Sequence, residues 1–491
     1  MFQSERRLSA ARRLRFWGIV LVVVYVVARF MAFRASLDRI PPSWTVAGES
    51  FADRSIDDVV AGIQTAFDAP VILHYYDDAR ALIPDSVDFE FDAEATAASL
   101  RAAREQSATT TAFLRLLLLQ QPDPRDLPIV AAYSDEKIRL RLSEMALTFD
   151  RPAQAPSPDL ATMTLRPGQA GYMLDIAASV QPVADALISI RSRDVDLIVD
   201  PQPAPPASID QLAELIQARV KDFKGNVSVF FKDLQAGHEI RVHTDVAYSG
   251  ASIMKILIMV EVYRGLDQPP DAETQRLLTE TLGAESGNFT ANLLLRQIGA
   301  GDSFGGVTKL TASMRYLGLV NTFMATPYDQ TDAAPPGIST PANSRTDAWA
   351  NPDPFMQTTP DDIGALLEMV YQCSQGGGAL MVAYPGSFTP EECQQMLDIM
   401  QQNVITDAEG IPTLLRGGLP PDTPLAHKHG WDFDTRGDAA IAFTPGGDFV
   451  LVVYVNTPQA WVEWDIANGI MVDVMRAAYN YFNPATVPVQ D

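Results

Sequence analysis

Apolar side chains recur along this chain in three patterns, and each predicts a different kind of element. A nearly unbroken apolar run covers residues 16–28 and resumes past Arg29 to Phe33. That is about 18 residues, just enough for a helix to cross a bilayer if Arg29 reaches back to the interface. Alternating or short apolar runs predict strands at Val71-Ile-Leu-His-Tyr-Tyr76 and at residues 194–199, the latter reading as an edge strand. Helical spacing covers residues 94–106, 113–119, 135–147 and 176–190, and returns at 208–223 through Ile209, Leu212, Leu215, Ile216 and Val220.

The second half repeats these signals in a telling order. Val227-Ser-Val-Phe-Phe-Lys-Asp-Leu234 and His238-Glu-Ile-Arg-Val-His243 form a hairpin around Gln235-Ala-Gly237. Residues 439–444 and 449–456 form another at Pro445-Gly-Gly447, and 461–482 close as a helix. Strands at both ends with helices between them predict an α+β domain whose antiparallel sheet is assembled from the two ends of residues 208–482. Pro201-Gln-Pro-Ala-Pro-Pro206 reads as a stiff linker, so 201–207 separates that domain from an α+β region at 40–200.

Charge adds a direction to the apolar N-terminal run. Arg6, Arg7, Arg12, Arg13 and Arg15 face only Glu5 within residues 1–15, which keeps this basic tail in the cytoplasm and places the rest outside. No small-x-small cleavage pattern precedes Arg34, so residues 16–33 are expected to remain as a single-pass anchor in the cell membrane. The whole chain carries 37 Lys and Arg against 61 Asp and Glu, a formal charge of −24. That excess excludes a nucleic-acid binder, which needs a basic face. Cys373 and Cys393 share no metal-type cluster; in an oxidising compartment they can form one bridge, and as separate buried thiols they would be equally ordinary. No cofactor is expected, and no metal, because His427 and His429 lack a third ligand.

Candidate chemistry concentrates in three stretches. In Ser249-Gly-Ala-Ser252-Ile-Met-Lys255 the serine stands near the start of a buried apolar helix with the lysine three residues on, on the same face. A serine needs a neighbouring base, and burial beside a second cation lets a lysine serve. Ser286-Gly-Asn288 offers a hydroxyl to relay a proton and an amide to hold a substrate carbonyl. His427-Lys428-His429-Gly430-Trp431 reads as a strand whose lysine meets an anionic group and whose glycine lets a substrate backbone approach. His74, alone on a strand, is read as structural.

Together and in this order, the three stretches resemble the class A β-lactamase and penicillin-binding-protein family over residues 208–482. Ser252-Ile-Met-Lys255 matches its Ser-x-x-Lys. Ser286-Gly-Asn288 matches Ser-Asp-Asn with Gly287 for Asp, and Lys428-His429-Gly430 matches Lys-Thr-Gly with His429 for Thr. Asn292 in the following Ala-Asn-Leu-Leu-Leu run fits as well. The resemblance implies a β-lactamase/transpeptidase-like fold and an acyl-enzyme on Ser252 activated by Lys255. Ser286 would relay the proton to the leaving nitrogen, Lys428 would organise the charge near Ser286, Asn288 would bind substrate amide, and the N–H groups of Ser252 and Trp431 would form an oxyanion hole. Arg436 is placed near a substrate carboxylate. The expected partner is a β-lactam or a peptidoglycan stem peptide. The family's deacylating Glu has no counterpart between Ser286 and Glu368; the loop at 326–353 holds only Asp329, Asp332, Asp347 and Asp353 as acids. The expected function is a membrane-anchored serine hydrolase of class A β-lactamase type. The missing Glu points to a slow-turnover D,D-peptidase as one alternative, and the Gly287 and His429 departures to an inactive wall-binding module as another. Residues 40–200 loosely resemble a peptidoglycan-binding domain of vancomycin-resistance-type wall proteins, through Pro41-Pro-Ser-Trp-Thr-Val-Ala-Gly48, Leu147-Thr-Phe-Asp-Arg-Pro152 and Arg193-Asp-Val-Asp-Leu-Ile-Val199. This implies cell-wall binding there, with a plain spacer as the alternative.

Overall fold

The computed structural model describes residues 2–118, 120–330 and 337–484. Leu119, at the end of the expected second helix, and Asp332 lie outside them. The chain forms two compact units. One takes residues up to 153 together with 170–203; the other takes 154–169 together with the chain from 204 on.

The first unit contains helices α1 (Phe2–Ala35), α2 (Ile56–Phe67), α3 (Ala93–Ser107), α4 (Thr110–Leu117), α5 (Asp135–Phe149) and α6 (Ile176–Leu187). Its strands include β1 (Trp44–Val46), β2 (Val71–Tyr75), β3 (Asp78–Leu82), β4 (Arg125–Leu127) and β5 (Asp194–Asp196). The apolar run at 16–33 sits inside α1, where an 18-residue window reaches a mean hydropathy of 2.2. Ser55, Asp92 and Asp175 accept from the first-turn N–H groups of α2, α3 and α6, which explains where these helices begin. Strands β5, β2 and β3 make one small sheet, while β1 pairs in parallel with β4. Ile56, Ile63, Leu73, Val183 and Leu187 form part of the buried core. His74 bonds Asp194 across β2 and β5, 3.1 Å apart. On the C-terminal half of α1, Phe30 and Phe33 pack against Phe113 of α4 with ring centres 5.5 and 5.6 Å apart.

The expected linker needs two corrections. Val199–Gln202 is a strand paired with Gly171–Leu174, so the proline-rich connection starts later than 201. Ser157–Asp159 and Thr164–Arg166 form a hairpin that belongs to the second unit. The reason is burial: Met163 and Leu165 join Leu212, Leu215 and Met471 in that unit's core.

The second unit continues with α7 (Ile209–Val220), β6 (Asn226–Asp233), β7 (Glu239–Val242), α8 (Lys255–Arg264), α9 (Ala272–Leu282), α10 (Asn288–Ile298) and α11 (Ser303–Tyr316). Then come α12 (Pro360–Ser374), α13 (Pro390–Gln401), β8 (Leu425–Trp431), β9 (Thr435–Ala442), β10 (Phe449–Asn456) and α14 (Trp464–Phe482). The sheet runs β7-β6-β10-β9-β8, antiparallel throughout, and pairs Asn226 with Asn456 and Phe231 with Leu451. The two ends of the unit therefore meet at its centre, as the strand order in the sequence predicts.

Period-two alternation divides the sheet's side chains between two cores. Phe230, Ala439, Ile441, Val452 and Tyr454 pack on the face covered by α8, α10, α12 and α13. Val229, Phe231, Ala440, Leu451 and Val453 pack on the other, with α7 and α14. Burial on both faces is why β10 is apolar almost throughout. Strand β8 lies at one edge of this sheet, so one side of its backbone has no partner strand.

Cys373 on α12 and Cys393 on α13 are joined by a disulfide, with Cα atoms 5.8 Å apart, and both are fully buried. A bridge closing a loop of this length constrains the unfolded chain by about 3 kcal/mol. The Cys373→Ala/Cys393→Ala double variant should lower the melting temperature of the second unit by roughly 6–12 °C in calorimetry. An unchanged transition would show that the bond contributes nothing to stability.

Candidate active site

Ser252 occupies a short 3-10 turn, Ala251–Met254, and α8 begins one step later at Lys255. The turn is backbone-strained, because Ala251 has φ 45°. An alanine in that region costs about 1–3 kcal/mol and persists only where its surroundings hold it. Here the Tyr328 hydroxyl donates to the Ala251 carbonyl at 2.9 Å. Ser252 itself is half-buried, at the N-terminal end of a helix whose first N–H groups have no intrahelical partner.

One turn on, the Lys255 side chain is fully buried. Its Nζ lies 3.0 Å from Ser252 Oγ, 3.1 Å from Ser286 Oγ, 2.9 Å from Asn288 Oδ1 and 2.5 Å from the Ser286 carbonyl oxygen. Ser286 precedes α10 and adopts φ 49°, which turns both its hydroxyl and its carbonyl toward the lysine. Asn288 is the first residue of α10. The first two sequence motifs thus converge on one nitrogen. An ammonium has three protons for these four oxygens, whereas a neutral amine can accept the Ser252 proton. Burial pushes Lys255 down to about 8, opposed by the Asp329 charge. The lysine also lies 4.9 Å from the centre of the Tyr328 ring.

The third motif arrives on β8. Lys428 is fully buried, donates to the His429 carbonyl at 3.0 Å, and is pushed down to about 7, first by burial and then by the Lys255 cation. Its only hydrogen bond among the described residues is that one, so it acts on the cluster through charge. Gly430 is where β8 meets the nucleophile turn. A Cβ there would stand 2.9 Å from Ser252 N and 3.0 Å from Ile253 N, so any side chain would push the strand off the turn. Asp432 N donates to Thr435 O, and Trp431 is the next residue back, opposite Arg436. Antiparallel pairs alternate, so the Trp431 N–H points away from β9, to the open edge.

Arg436 is not brought to this cluster. Neighbouring residues leave a strand on opposite faces, so Arg436, opposite Trp431, departs from the face away from Gly430 and Ser252. Its guanidinium donates to the carbonyls of Asp432 and Thr435 and lies 4.6 Å from the centre of the Trp461 ring. The histidines of the motif are engaged too. His427 is held between Asp438 (2.9 Å) and the Asn403 carbonyl (2.6 Å). His429 stacks on Trp431 and is pushed down to about 2 by burial and the adjacent Lys428 charge.

Sequence reasoning missed Tyr328 and left the loop acids undivided. Asn292 of α10 grips the backbone of Tyr328 from both sides, donating to its O and accepting from its N at 2.9 Å each. That fixes the aromatic ring against Lys255 and delivers the next residue, Asp329, to Asn288 Nδ2 at 3.2 Å. Asp347 is tied to Arg345, and Asp353 is half-buried where its N–H meets Ser249 Oγ. Among the described residues only Asp329, of the loop acids, bonds a member of the cluster. Asn292 was visible as part of a motif, but what it holds 36 residues away was not.

The profile of the Beta-lactamase enzyme family matches residues 211–277 and 267–482, more than half of the chain. No curated protein sequence matches. Among solved structures, a point mutant of PBP-A captured as an acyl-enzyme with penicillin G is 20% identical at a TM-score of 0.42. It covers 57% of this chain and 99% of its own. An ancestral class A β-lactamase is 24% identical at 0.41, covering 55% and 100%. A β-lactamase from Chitinophaga pinensis is 18% identical at 0.42, covering 55% and 98%. With the profile matched across the unit that holds Ser252, Lys255, Ser286 and Lys428, the chain belongs to the β-lactamase enzyme family, as a serine hydrolase that acts on amides.

Proposed function

We propose that this protein is a membrane-anchored, extracytoplasmic acyl-transfer enzyme that opens a β-lactam or a D-Ala-type peptide amide and releases its acyl group slowly. The observation that carries the reading is the Lys255 nitrogen between the Ser252 and Ser286 hydroxyls. Ser252 Oγ attacks the carbonyl carbon while its proton passes to neutral Lys255. The oxyanion is met by the N–H groups of Ser252 and Trp431. As the C–N bond breaks, the proton moves through Ser286 to the leaving nitrogen. Lys428 stabilises negative charge at Ser286 and on the substrate, and Asn288 holds a substrate amide.

Slow release follows from what faces the acyl group. Hydrolysis needs a base for water, and among the described residues no carboxylate bonds Ser252 or Lys255. The position fixed by Asn292 carries Tyr328, and Asp329 reaches the site only through Asn288. Location outside the cytoplasm is supported by the apolar stretch of α1 behind five arginines and by the Cys373–Cys393 bridge, which suits an oxidising compartment.

Intact mass of the full chain with a penicillin should show a covalent adduct that persists for minutes or longer and is absent in Ser252→Ala. Rapid drug consumption without an adduct would replace this reading with a true lactamase, and neither adduct nor consumption would leave an inactive binding module. The pH dependence follows from the lysine. Only neutral Lys255 accepts a proton, so the acylation rate should rise about tenfold per unit up to pH about 8 and then level. Because the Asp329 anion favours the ammonium, Asp329→Asn should move that rise to lower pH in a stopped-flow profile. A shift to higher pH would contradict the assignment of Lys255 as base.

A further inference from the structure

Within the first unit, a cavity of about 680 Å³ is lined by five arginines against two aspartates, in a chain whose net charge is −24. It lies where the C-terminal part of α1, the end of α3, α4 and the β1–β4 pair come together. Arg104 of α3 is only 7% exposed. It donates to the Ser36 carbonyl at 2.9 Å and to Ser107 Oγ at 3.2 Å, while its Nε has no partner. A buried cation without an anion is costly, and burial lowers its pKa accordingly.

Its neighbours repeat the deficit. Of the five, only Arg115 is paired, with Asp123 at 2.8 Å. Arg29 donates to the Leu116 carbonyl and leaves a buried Nε unpartnered. Arg39 spends its bond on the Asp53 backbone carbonyl rather than on its carboxylate. Arg125 faces the Trp44 ring at 5.7 Å, the same ring that Arg104 approaches at 5.4 Å. Among the described residues none of these four touches a carboxylate. The cavity offers four guanidinium forks that no carboxylate receives, beside apolar walls from Phe33, Ile40 and Leu116.

We propose that this cavity binds the phosphate headgroup of an anionic membrane lipid. Arginine forks match phosphate oxygens in pairs, and a phosphate would supply the acceptor that Arg104 Nε lacks. The lipid source is favoured by position. Arg29 and Phe33 belong to the outer end of the apolar stretch of α1, so the cavity opens at the level of the headgroups if α1 spans the membrane. A membrane source for the phosphate rests on the anchored reading given above. The apolar walls then take the start of the lipid tail, which a free phosphate would leave bare.

The full chain in nanodiscs of phosphatidylcholine with a minor share of phosphatidylglycerol should retain phosphatidylglycerol selectively when released for native mass spectrometry. Arg104→Gln and Arg125→Gln should each cut that retention about tenfold, while Arg101→Gln, an exposed arginine paired with Asp57, should not. Arg125 is exposed, so its variant decides the matter should Arg104→Gln fail to fold. Equal retention in all variants would overturn the proposal. Complete displacement by millimolar inorganic phosphate would overturn the lipid source in favour of a free phosphate. Flotation of the full chain with membranes separates the two readings. A chain that does not float yet binds phosphatidylglycerol micelles through Arg104 and Arg125 sinks the anchor and keeps the site. A chain that floats but shows no arginine dependence does the reverse.

Discussion

The catalytic unit is organised by one buried nitrogen. Lys255 cannot be covered by protein as a free cation without a large solvation cost, and each oxygen that offsets the cost is also a group the reaction needs. Ser252 is there because the chain enters α8 through a tight 3-10 turn, and Ser286 because it takes a left-handed backbone just before α10. Two uncommon conformations are held in place, Ala251 by the Tyr328 hydroxyl beside the lysine and Ser286 by the lysine itself. Neither makes sense as local structure. Both make sense as consequences of where the lysine must find its partners.

The sheet matters because it brings the second cation. Lys428 reaches the cluster only because β8 is the edge strand and lies against the nucleophile turn at Gly430, with no room for a Cβ. Gly437, opposite Gly430 on β9, shows the same closeness: a Cβ there would meet the Tyr454 ring and the Ile253 side chain. Two lysines in one dry pocket each disfavour the other's charge. Burial pushes both lysines down, and the Lys255 charge pushes Lys428 further, which favours the neutral amine that a base in a serine mechanism requires.

Much of this was legible in the sequence. The apolar patterns locate the hairpins, the closing helix and the buried run after Ser252, and the three motifs name the four side chains that the fold places around one centre. What was not legible depends on distant packing. Residues 157–166 look like part of the first unit until Met163 and Leu165 are seen in the core of the second. Arg436 looks like an anion binder until strand pairing fixes its face. The left-handed backbone of Ser286, two residues before α10, is equally invisible to spacing.

Tyr328 shows how an absence in sequence becomes a constraint in structure. Scanning for a missing Glu finds nothing, because the informative fact is not which acids the loop holds but which residue Asn292 pins. Two hydrogen bonds from one side-chain amide to one residue's N–H and C=O set that residue's backbone as firmly as a sheet would. The position so fixed points an aromatic ring at Lys255, and its hydroxyl is consumed by the Ala251 carbonyl. The ring helps bury the lysine, and burial lowers its pKa and favours attack, while the position that Asn292 fixes carries an aromatic side chain and no carboxylate. On the proposed reading, the features that favour forming the acyl-enzyme are the ones that slow its removal.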